Sequence, residues 1–287
     1  MDKIIKKLLI IIVCTLLAVG LLFILRGSNE SNSTEDAPTQ TEFGFMSLGD
    51  SVASGVGLPT YIDSTACNRT EESYPQQLAK QLNATVTHAA CSGASYYSGV
   101  LERQIVNKLE VAPQVSKLKQ SEAPRFITLT AGANDTKWIE IITKCYVDTC
   151  GTAQDTLNID NSLKTVARGL ADTLEYIKQS NPGTHVFVTG YHQVMPANLE
   201  QQCRDLNGVN QTEQSWARDQ QARLNKTLQE TANNFDFAKF VGVDFTGHEL
   251  CTDNPWVQGL SDSAPYHPTA RGHQAFVAPL LEAINEN

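Results

Sequence analysis

The feature that most constrains the fold is the repeated alternation of short apolar runs with longer stretches of helical spacing. Apolar runs of strand length occupy residues 43–48, 84–88, 125–130, 185–190 and 240–245. Apolar residues recur every three or four positions over residues 74–82, 162–179, 212–235 and 269–284. This alternation predicts an α/β protein, a three-layer α/β/α sandwich of flavodoxin-like type with a central parallel five-stranded sheet. Ligands of such sheets bind at the carboxyl ends of the strands.

The N-terminal segment has a different character. Lys3, Lys6 and Lys7 precede an uninterrupted apolar run over residues 8–25, which Arg26 closes. The run approaches the roughly 20 residues that cross a bilayer as a helix, whereas a cleavable signal peptide has an apolar core of about 7–15 residues. The pattern favours an uncleaved transmembrane helix, with a signal peptide as the alternative. The preceding lysines place the N-terminus in the cytoplasm and the rest of the chain outside.

Composition divides the chain into three parts. Residues 1–26 form the membrane anchor or signal peptide, residues 27–41 a flexible polar linker, and residues 42–287 the folded domain. The formal net charge is −9, and the folded part has no cluster of lysine and arginine. A nucleic-acid partner is therefore not expected. We expect a bacterial cell-envelope protein with its domain outside the membrane, or a secreted protein if the segment is cleaved.

Cysteine usage agrees with export. The sequence has seven cysteines, and Cys14 lies within the apolar N-terminal run without a lipidation motif. The six others form an even set, as expected in an oxidising compartment: Cys67, Cys91, Cys145, Cys150, Cys203 and Cys251. Their pairing cannot be chosen from the residues alone. No Cys-x-x-Cys pair or His-x-x-x-His spacing supports the alternative of a metal site.

Four short motifs carry residue types suited to acyl transfer. Gly-Asp-Ser at positions 49–51 follows the first apolar run, and Gly93 lies in a small-residue stretch after the second. Asn134 lies in Gly-Ala-Asn-Asp after the third run, and His267 precedes Pro268 near the C-terminus. A serine hydroxyl is a weak nucleophile until a base accepts its proton, and the developing oxyanion needs hydrogen-bond donors already in place. The motifs supply a candidate base in His267 and candidate hydrogen-bond donors in Gly93 and Asn134.

In this order, the four motifs resemble the SGNH (GDSL-type) hydrolase family, and the resemblance covers essentially the whole chain from about Phe43. Gly-His-Glu-Leu-Cys at positions 247–251 and Pro-Trp at 255–256 resemble a disulfide-bearing branch of the family that includes a secreted actinomycete esterase. The resemblance implies a serine carboxylic ester hydrolase, an esterase or lipase, without a metal or organic cofactor. It also implies sequential disulfides, namely Cys67 with Cys91, Cys145 with Cys150, and Cys203 with Cys251.

The resemblance also implies the roles of the site residues. Ser51 is the nucleophile and His267 the base that takes its proton. The backbone N–H groups of Ser51 and Gly93 and the side-chain amide of Asn134 form the oxyanion hole. Among the six histidines of the chain, only His267 has the motif context. His192, after the fourth apolar run, could line the cleft.

The sequence departs from the commoner family pattern beside the histidine. Most members carry an aspartate three residues before it, and position 264 is alanine here. The esterase that this chain resembles lacks the aspartate too, and a backbone carbonyl orients its imidazole. We therefore expect a Ser-His dyad with the carbonyl of Ala264 as the orienting acceptor. Asp262, five residues upstream of His267, is the side-chain alternative.

The substrate remains open at this stage. We expect a small-molecule or lipid ester as the partner, with either a lipid acyl chain or an acetyl group, and a monomeric enzyme bound to the membrane through its N-terminal helix. Four aromatic residues near the motifs could line an acyl pocket or belong to the core: Tyr96, Tyr97, Trp138 and Trp256. Alternatives are acyl transfer to a cell-surface sugar and a non-catalytic surface-binding domain.

Overall fold

The computed structural model describes residues 43–62, 66–119, 123–200 and 203–286. The predicted transmembrane helix over residues 1–26 and the linker over residues 27–41 lie outside the described residues. Among the helices of the described ranges, none combines the length and apolar character needed to cross a bilayer.

Five of the described strands form one parallel sheet. In chain order, the strands are β1 (Gly44–Gly49), β2 (Thr85–His88), β3 (Gln104–Val106), β4 (Leu109–Val111), β5 (Phe126–Thr130), β6 (His185–Thr189) and β7 (Ala238–Val241). The sheet has the order β2-β1-β5-β6-β7, while β3 and β4 pair as an antiparallel hairpin. Every residue of the central strand β5 is buried, so both faces of the sheet are covered. The predicted α/β fold with a parallel five-stranded sheet is confirmed.

Helices follow the strands. They are α1 (Ser51–Ser54), α2 (Tyr74–Leu82), α3 (Trp138–Val147), α4 (Ala153–Ser180), α5 (Gln211–Ala232), α6 (Ala270–Ala275) and α7 (Val277–Asn285), with 3₁₀ helices at Gln114–Lys119 and Arg204–Leu206. The long helices α4 and α5 pack against each other, and α2 packs against α6 and α7. Capping boxes fix the starts of α4 and α5, because Thr152 and Asn210 each bond the amide three residues on.

Three predicted elements differ most from the structure. The last strand ends at Val241 rather than at residue 245, because Phe245 is buried by edge-to-face packing on Trp256 and Phe276 instead of by strand pairing. The last predicted helix is interrupted at Phe276, between α6 and α7. The helix expected over residues 162–179 begins earlier, at the cap that Thr152 provides.

The three described disulfides confirm the sequential pairing. Their members are Cys67 with Cys91, Cys145 with Cys150, and Cys203 with Cys251. The first bond fastens the segment before α2 to the loop after β2, and the third joins the loops that follow β6 and β7. Each of these loops lies at the carboxyl edge of the sheet, where the sequence motifs fall.

Candidate active site

The turn from β1 into α1 presents Ser51 at the carboxyl edge of the sheet. Gly49 has a φ of +142°, and a Cβ there would lie 2.2 Å from the carbonyl oxygen of Thr130. Glycine is therefore required for β1 to reach its end beside β5. Asp50 caps the short helix, since its Oδ1 accepts the N–H of Val52 at 2.9 Å. Asp50 thus braces the turn that presents Ser51.

The structure brings the predicted nucleophile and base together. Nε2 of His267 lies 2.7 Å from Oγ of Ser51. Nδ1 of the same ring lies 3.1 Å from the carbonyl oxygen of Pro265. A carbonyl only accepts hydrogen bonds, so this contact assigns the ring proton to Nδ1. Nε2 is then the unprotonated atom that can accept the serine proton.

The orienting acceptor differs from the one expected. The carbonyl of Ala264 accepts the backbone N–H of His267 at 3.2 Å, and the carbonyl bonded to the ring belongs to Pro265, one residue further along. Tyr266 has a φ of +69°, and this left-handed residue turns the chain between Pro265 and the imidazole. Asp262, the side-chain alternative, accepts the N–H of Gly259 at 2.7 Å and has no hydrogen bond to His267 within the described residues.

Burial keeps the imidazole neutral. Desolvation lowers the pKa of His267 below its usual range, and the carbonyls of Pro265 and Ala264 oppose this shift only in part. His192 lies behind it and donates from Nε2 to the carbonyl of Tyr266 at 3.0 Å, while burial lowers the pKa of His192 to about 4. Both rings are therefore uncharged at neutral pH, the state that a general base needs.

Three candidate oxyanion donors lie on the loops around Ser51. Within the described ranges, the N–H groups of Ser51 and Gly93 have no hydrogen-bond acceptor. Gly93 is exposed and has a φ of +77°, a conformation that favours glycine. Asn134 donates one amide hydrogen to the carbonyl of Ala94 at 2.8 Å, which fixes the side chain and leaves its second hydrogen available.

A buried tyrosine that the sequence analysis missed links two of these loops. The hydroxyl of Tyr191 donates to Oδ2 of Asp50 at 2.5 Å and accepts the N–H of Ala133 at 3.1 Å. It thus joins the serine turn to the loop that carries Asn134. No spacing signal exists for such a bridge, because its partners lie far apart in the chain.

A buried carboxyl group, Asp50, and a half-buried one, Asp135, lie near the site. Burial, reinforced weakly by the charge of Asp135, raises the pKa of Asp50 to about 7. Burial also raises the pKa of Asp135 to about 6, and its carboxylate accepts the N–H of Tyr96 at 3.3 Å. This contact ties the loop of Asp135 to the loop of Tyr96.

An apolar pocket opens beside Ser51 and His267. Its apolar lining consists of Val52, Trp138, Ile139, Val194, Leu224 and Tyr266, and His192 also faces it. Of the four aromatic candidates, Trp138 alone is part of this lining. Tyr96 is buried in the core and bonds the carbonyl of Ala131, Tyr97 bonds Asp172, and Trp256 stacks on His248.

The fold and the site agree with the family comparison. The family model of the GDSL-like lipase/acylhydrolase family matches residues 47–275 of the chain, from β1 to the end of α6. The chain therefore belongs to this family, and it is an ester hydrolase of the GDSL esterase and lipase class.

Similar proteins come from Streptomyces. The chain is 30% identical to Lipase 1 of Streptomyces coelicolor over 247 residues, which are 83% of this chain and 85% of the relative. An extracellular lipase from Streptomyces rimosus superimposes with a TM-score of 0.68 at 26% identity, covering 84% of this chain and 99% of that one. Phospholipase A1 from Streptomyces albidoflavus superimposes with a TM-score of 0.63 at 25% identity, with the same coverage.

Proposed function

We propose that Ser51 and His267 act as a catalytic dyad that hydrolyses carboxylic esters. The observation that carries the proposal is the 2.7 Å contact between Oγ of Ser51 and the unprotonated Nε2 of His267. Oγ attacks the ester carbonyl while its proton passes to Nε2. The imidazolium then gives this proton to the leaving alcohol, and an acyl-enzyme results. Water, deprotonated by the same nitrogen, releases the acid and regenerates Ser51.

The oxyanion of each tetrahedral intermediate would be held by three donors. These are the N–H groups of Ser51 and Gly93 and the second amide hydrogen of Asn134. Donors fixed in advance stabilise charge that develops only in the transition state, so they accelerate the reaction without tightening ground-state binding. The anchoring of Asn134 on the carbonyl of Ala94 supports this preorganisation.

An acyl chain longer than acetyl is the substrate that the pocket favours. The enclosed pocket beside Ser51 holds only about 40 Å³, but it shares Ile139, Tyr266 and His267 with an apolar groove of about 480 Å³. This groove has room for a longer acyl chain, and its further lining includes Val56, Tyr146, Leu260 and Pro265. Each buried methylene contributes about 0.8 kcal/mol, so a longer chain gains binding energy there. The similar proteins that are described as lipases and as phospholipase A1 point to the same class.

We further propose that the enzyme works outside the cytoplasm. Its three disulfides suit an oxidising compartment, and the similar Streptomyces rimosus lipase is described as extracellular. The domain over residues 42–287 would follow a linker at residues 27–41 and be either held at the membrane by residues 1–26 or secreted after cleavage. Mass spectrometry of the N-terminal peptide in the membrane fraction distinguishes these two outcomes.

The catalytic proposal is tested with a fluorophosphonate probe and p-nitrophenyl esters of increasing chain length. We expect the wild-type chain to be labelled at Ser51 and to prefer medium or long acyl chains over acetate. The Ser51→Ala variant should lose at least about 10⁴-fold in kcat and all labelling while keeping its circular dichroism spectrum. Normal turnover by this variant would exclude Ser51 as the nucleophile, and a preference for acetate would exclude the lipid substrate.

A further inference from the structure

Gln258 is bound to the histidine loop through its backbone. Its N–H donates to the carbonyl of His267 at 2.8 Å, and its carbonyl accepts the N–H of Tyr266 at 2.8 Å. Val257 and Pro268 form an antiparallel bridge beside these bonds. The segment that carries the proposed base is therefore one side of a short two-stranded ladder, and Gln258 lies on the other side.

The side chain of Gln258 then turns into the loop that this ladder closes. Oε1 accepts the N–H of Ala264 at 3.2 Å and the hydroxyl of Ser263 at 3.4 Å. Nε2 donates to the carbonyl of Pro268 at 3.1 Å and to that of Val56 at 3.4 Å. Gln258 is only 5% exposed, so its bonds to Ala264 and Pro268 are made away from competing water.

The contact with Val56 extends the bonding to the serine side, because Val56 lies two residues beyond α1. The neighbouring Gly57 has a φ of +86°, and a Cβ there would lie 2.6 Å from Oε1 of Gln258 and 2.5 Å from Cβ of Ala264. The hydroxyl of Ser263 shares its one hydrogen between this Oε1, at 3.4 Å, and the nearer carbonyl of Gly57, at 3.0 Å. The segment after α1 thus packs closely against the side-chain amide of Gln258.

We infer that Gln258 is the positioning residue that keeps His267 aligned with Ser51 in place of a triad aspartate. The inference rests on the proposed dyad. A triad carboxylate both orients the imidazole and stabilises its positive charge. Gln258 performs the first task indirectly, because it bonds both residues that flank the Pro265–His267 segment, Ala264 and Pro268. As a neutral amide it does not titrate, so its hold on the loop is independent of pH.

The test compares Gln258→Met with Gln214→Met as a matched control. Methionine keeps the length of the side chain and removes its hydrogen bonds. Gln214 is equally buried, and its amide binds the carbonyl of Val209, away from the dyad. We expect Gln258→Met to lose about 10–10²-fold in kcat with little change in KM, because misplacement of a catalytic group affects the transition state. Gln214→Met should keep its kcat.

Two further readouts separate alignment from stability. The rate at which a fluorophosphonate labels Ser51 should fall in parallel with kcat, and the low-field NMR resonance of the His267 Nδ1–H should broaden or shift. Ser263→Ala is the second test if Gln258→Met does not fold. This exposed substitution removes one bond to the Gln258 amide and should lower kcat by about two- to tenfold. If Gln258→Met folds, a labelling rate equal to that of the wild-type chain and an unchanged Nδ1–H resonance would overturn the inference. If only Ser263→Ala folds, a wild-type kcat in that variant would overturn it. A wild-type chain that is not labelled would instead contradict the proposed function.

Discussion

The two halves of the proposed dyad are held by different chemistry. Ser51 begins a helix directly after β1, and its turn rests on the buried carboxyl group of Asp50 and the hydroxyl of Tyr191. His267 lies in a loop after the sheet, and neutral groups hold it: the carbonyl of Pro265 and the amide of Gln258. The comparison teaches that the ionisable carboxyl support of this site lies behind the nucleophile rather than behind the base, the reverse of a Ser-His-Asp triad.

After the loss of Ser51 itself, the largest effect is expected at the oxyanion loop next to the serine turn. Asn134→Ala should lower kcat by roughly 10²–10³-fold, the usual loss for one oxyanion donor, while Ser51 stays open to labelling. Steady-state kinetics on the preferred ester measure this loss. Asn134→Asp, which keeps the size of the side chain and replaces the donor by an acceptor, should be at least as slow. A loss under twofold would show that the amide points away from the oxyanion.

A smaller effect is expected when the serine turn is detached from that loop. Tyr191→Phe removes the hydroxyl that bridges Asp50 and the N–H of Ala133, so we expect about a tenfold lower kcat and a lower melting temperature. Tyr96→Phe is the matched control, because among the described residues its buried hydroxyl bonds only the carbonyl of Ala131. Equal kcat values for Tyr191→Phe and Tyr96→Phe would show that the bridge made by the Tyr191 hydroxyl does not contribute to catalysis.

The buried carboxyl group of Asp50 should make folding stability depend on pH. The folded-state pKa of Asp50 is raised to about 7 from the usual 3.8, so the folded protein holds this proton more tightly than the unfolded chain does. The contribution is full below about pH 4 and is lost as the pH rises through 7. Asp50→Asn should lack this part of the decline in stability. In thermal melts between pH 4 and 8, its melting temperature at pH 8 should therefore exceed that of the wild-type chain by roughly 2–4 °C or more.

Asp253→Asn is the control for this measurement, because Asp253 is exposed. Asp135, with its pKa raised to about 6, adds a decline of its own that persists in both variants. Identical melting curves for Asp50→Asn and the wild-type chain across this range would contradict the assignment of Asp50 as the pH-sensitive support.

The smallest effect is expected at Asp262. Asp262→Asn should change kcat by less than about threefold, because its carboxylate bonds Gly259 rather than the imidazole, whereas loss of a true triad aspartate lowers kcat by about 10⁴. Kinetics of Asp262→Asn beside Asp253→Asn measure this. A thousandfold loss confined to position 262 would replace the dyad by a displaced triad.

Short-range signals account for what could be predicted. The alternation of strand and helix patterns predicted the parallel sheet. The positions of the motifs after successive strands predicted that Ser51 and His267 meet at its carboxyl edge. Helix α3 was missed because its β-branched residues favour strands and Lys137 at its N-cap makes no side-chain bond. The β3–β4 hairpin was missed because Asn107 and Lys108 turn with positive φ and no glycine.

Long-range contacts account for what could not. Tyr191 and Gln258 act through hydrogen bonds to backbone groups that are distant in the chain, and such bonds leave no trace in residue spacing. The orienting carbonyl was misplaced by one residue because the left-handed conformation of Tyr266 is not encoded by a glycine. The residue types of the motifs can be identified from the sequence, whereas the backbone conformation that aligns them is known only from the structure.

The close fit at Gly57 has an evolutionary consequence. Since a Cβ at position 57 would overlap the Gln258 amide and the Ala264 methyl group, these three positions cannot change independently. A relative that gains a side chain at 57 must lose the long amide at 258, and with it the neutral hold on the histidine. Among many relatives, glycine at 57 should therefore co-vary with glutamine at 258, and exceptions should carry an acidic residue at 264.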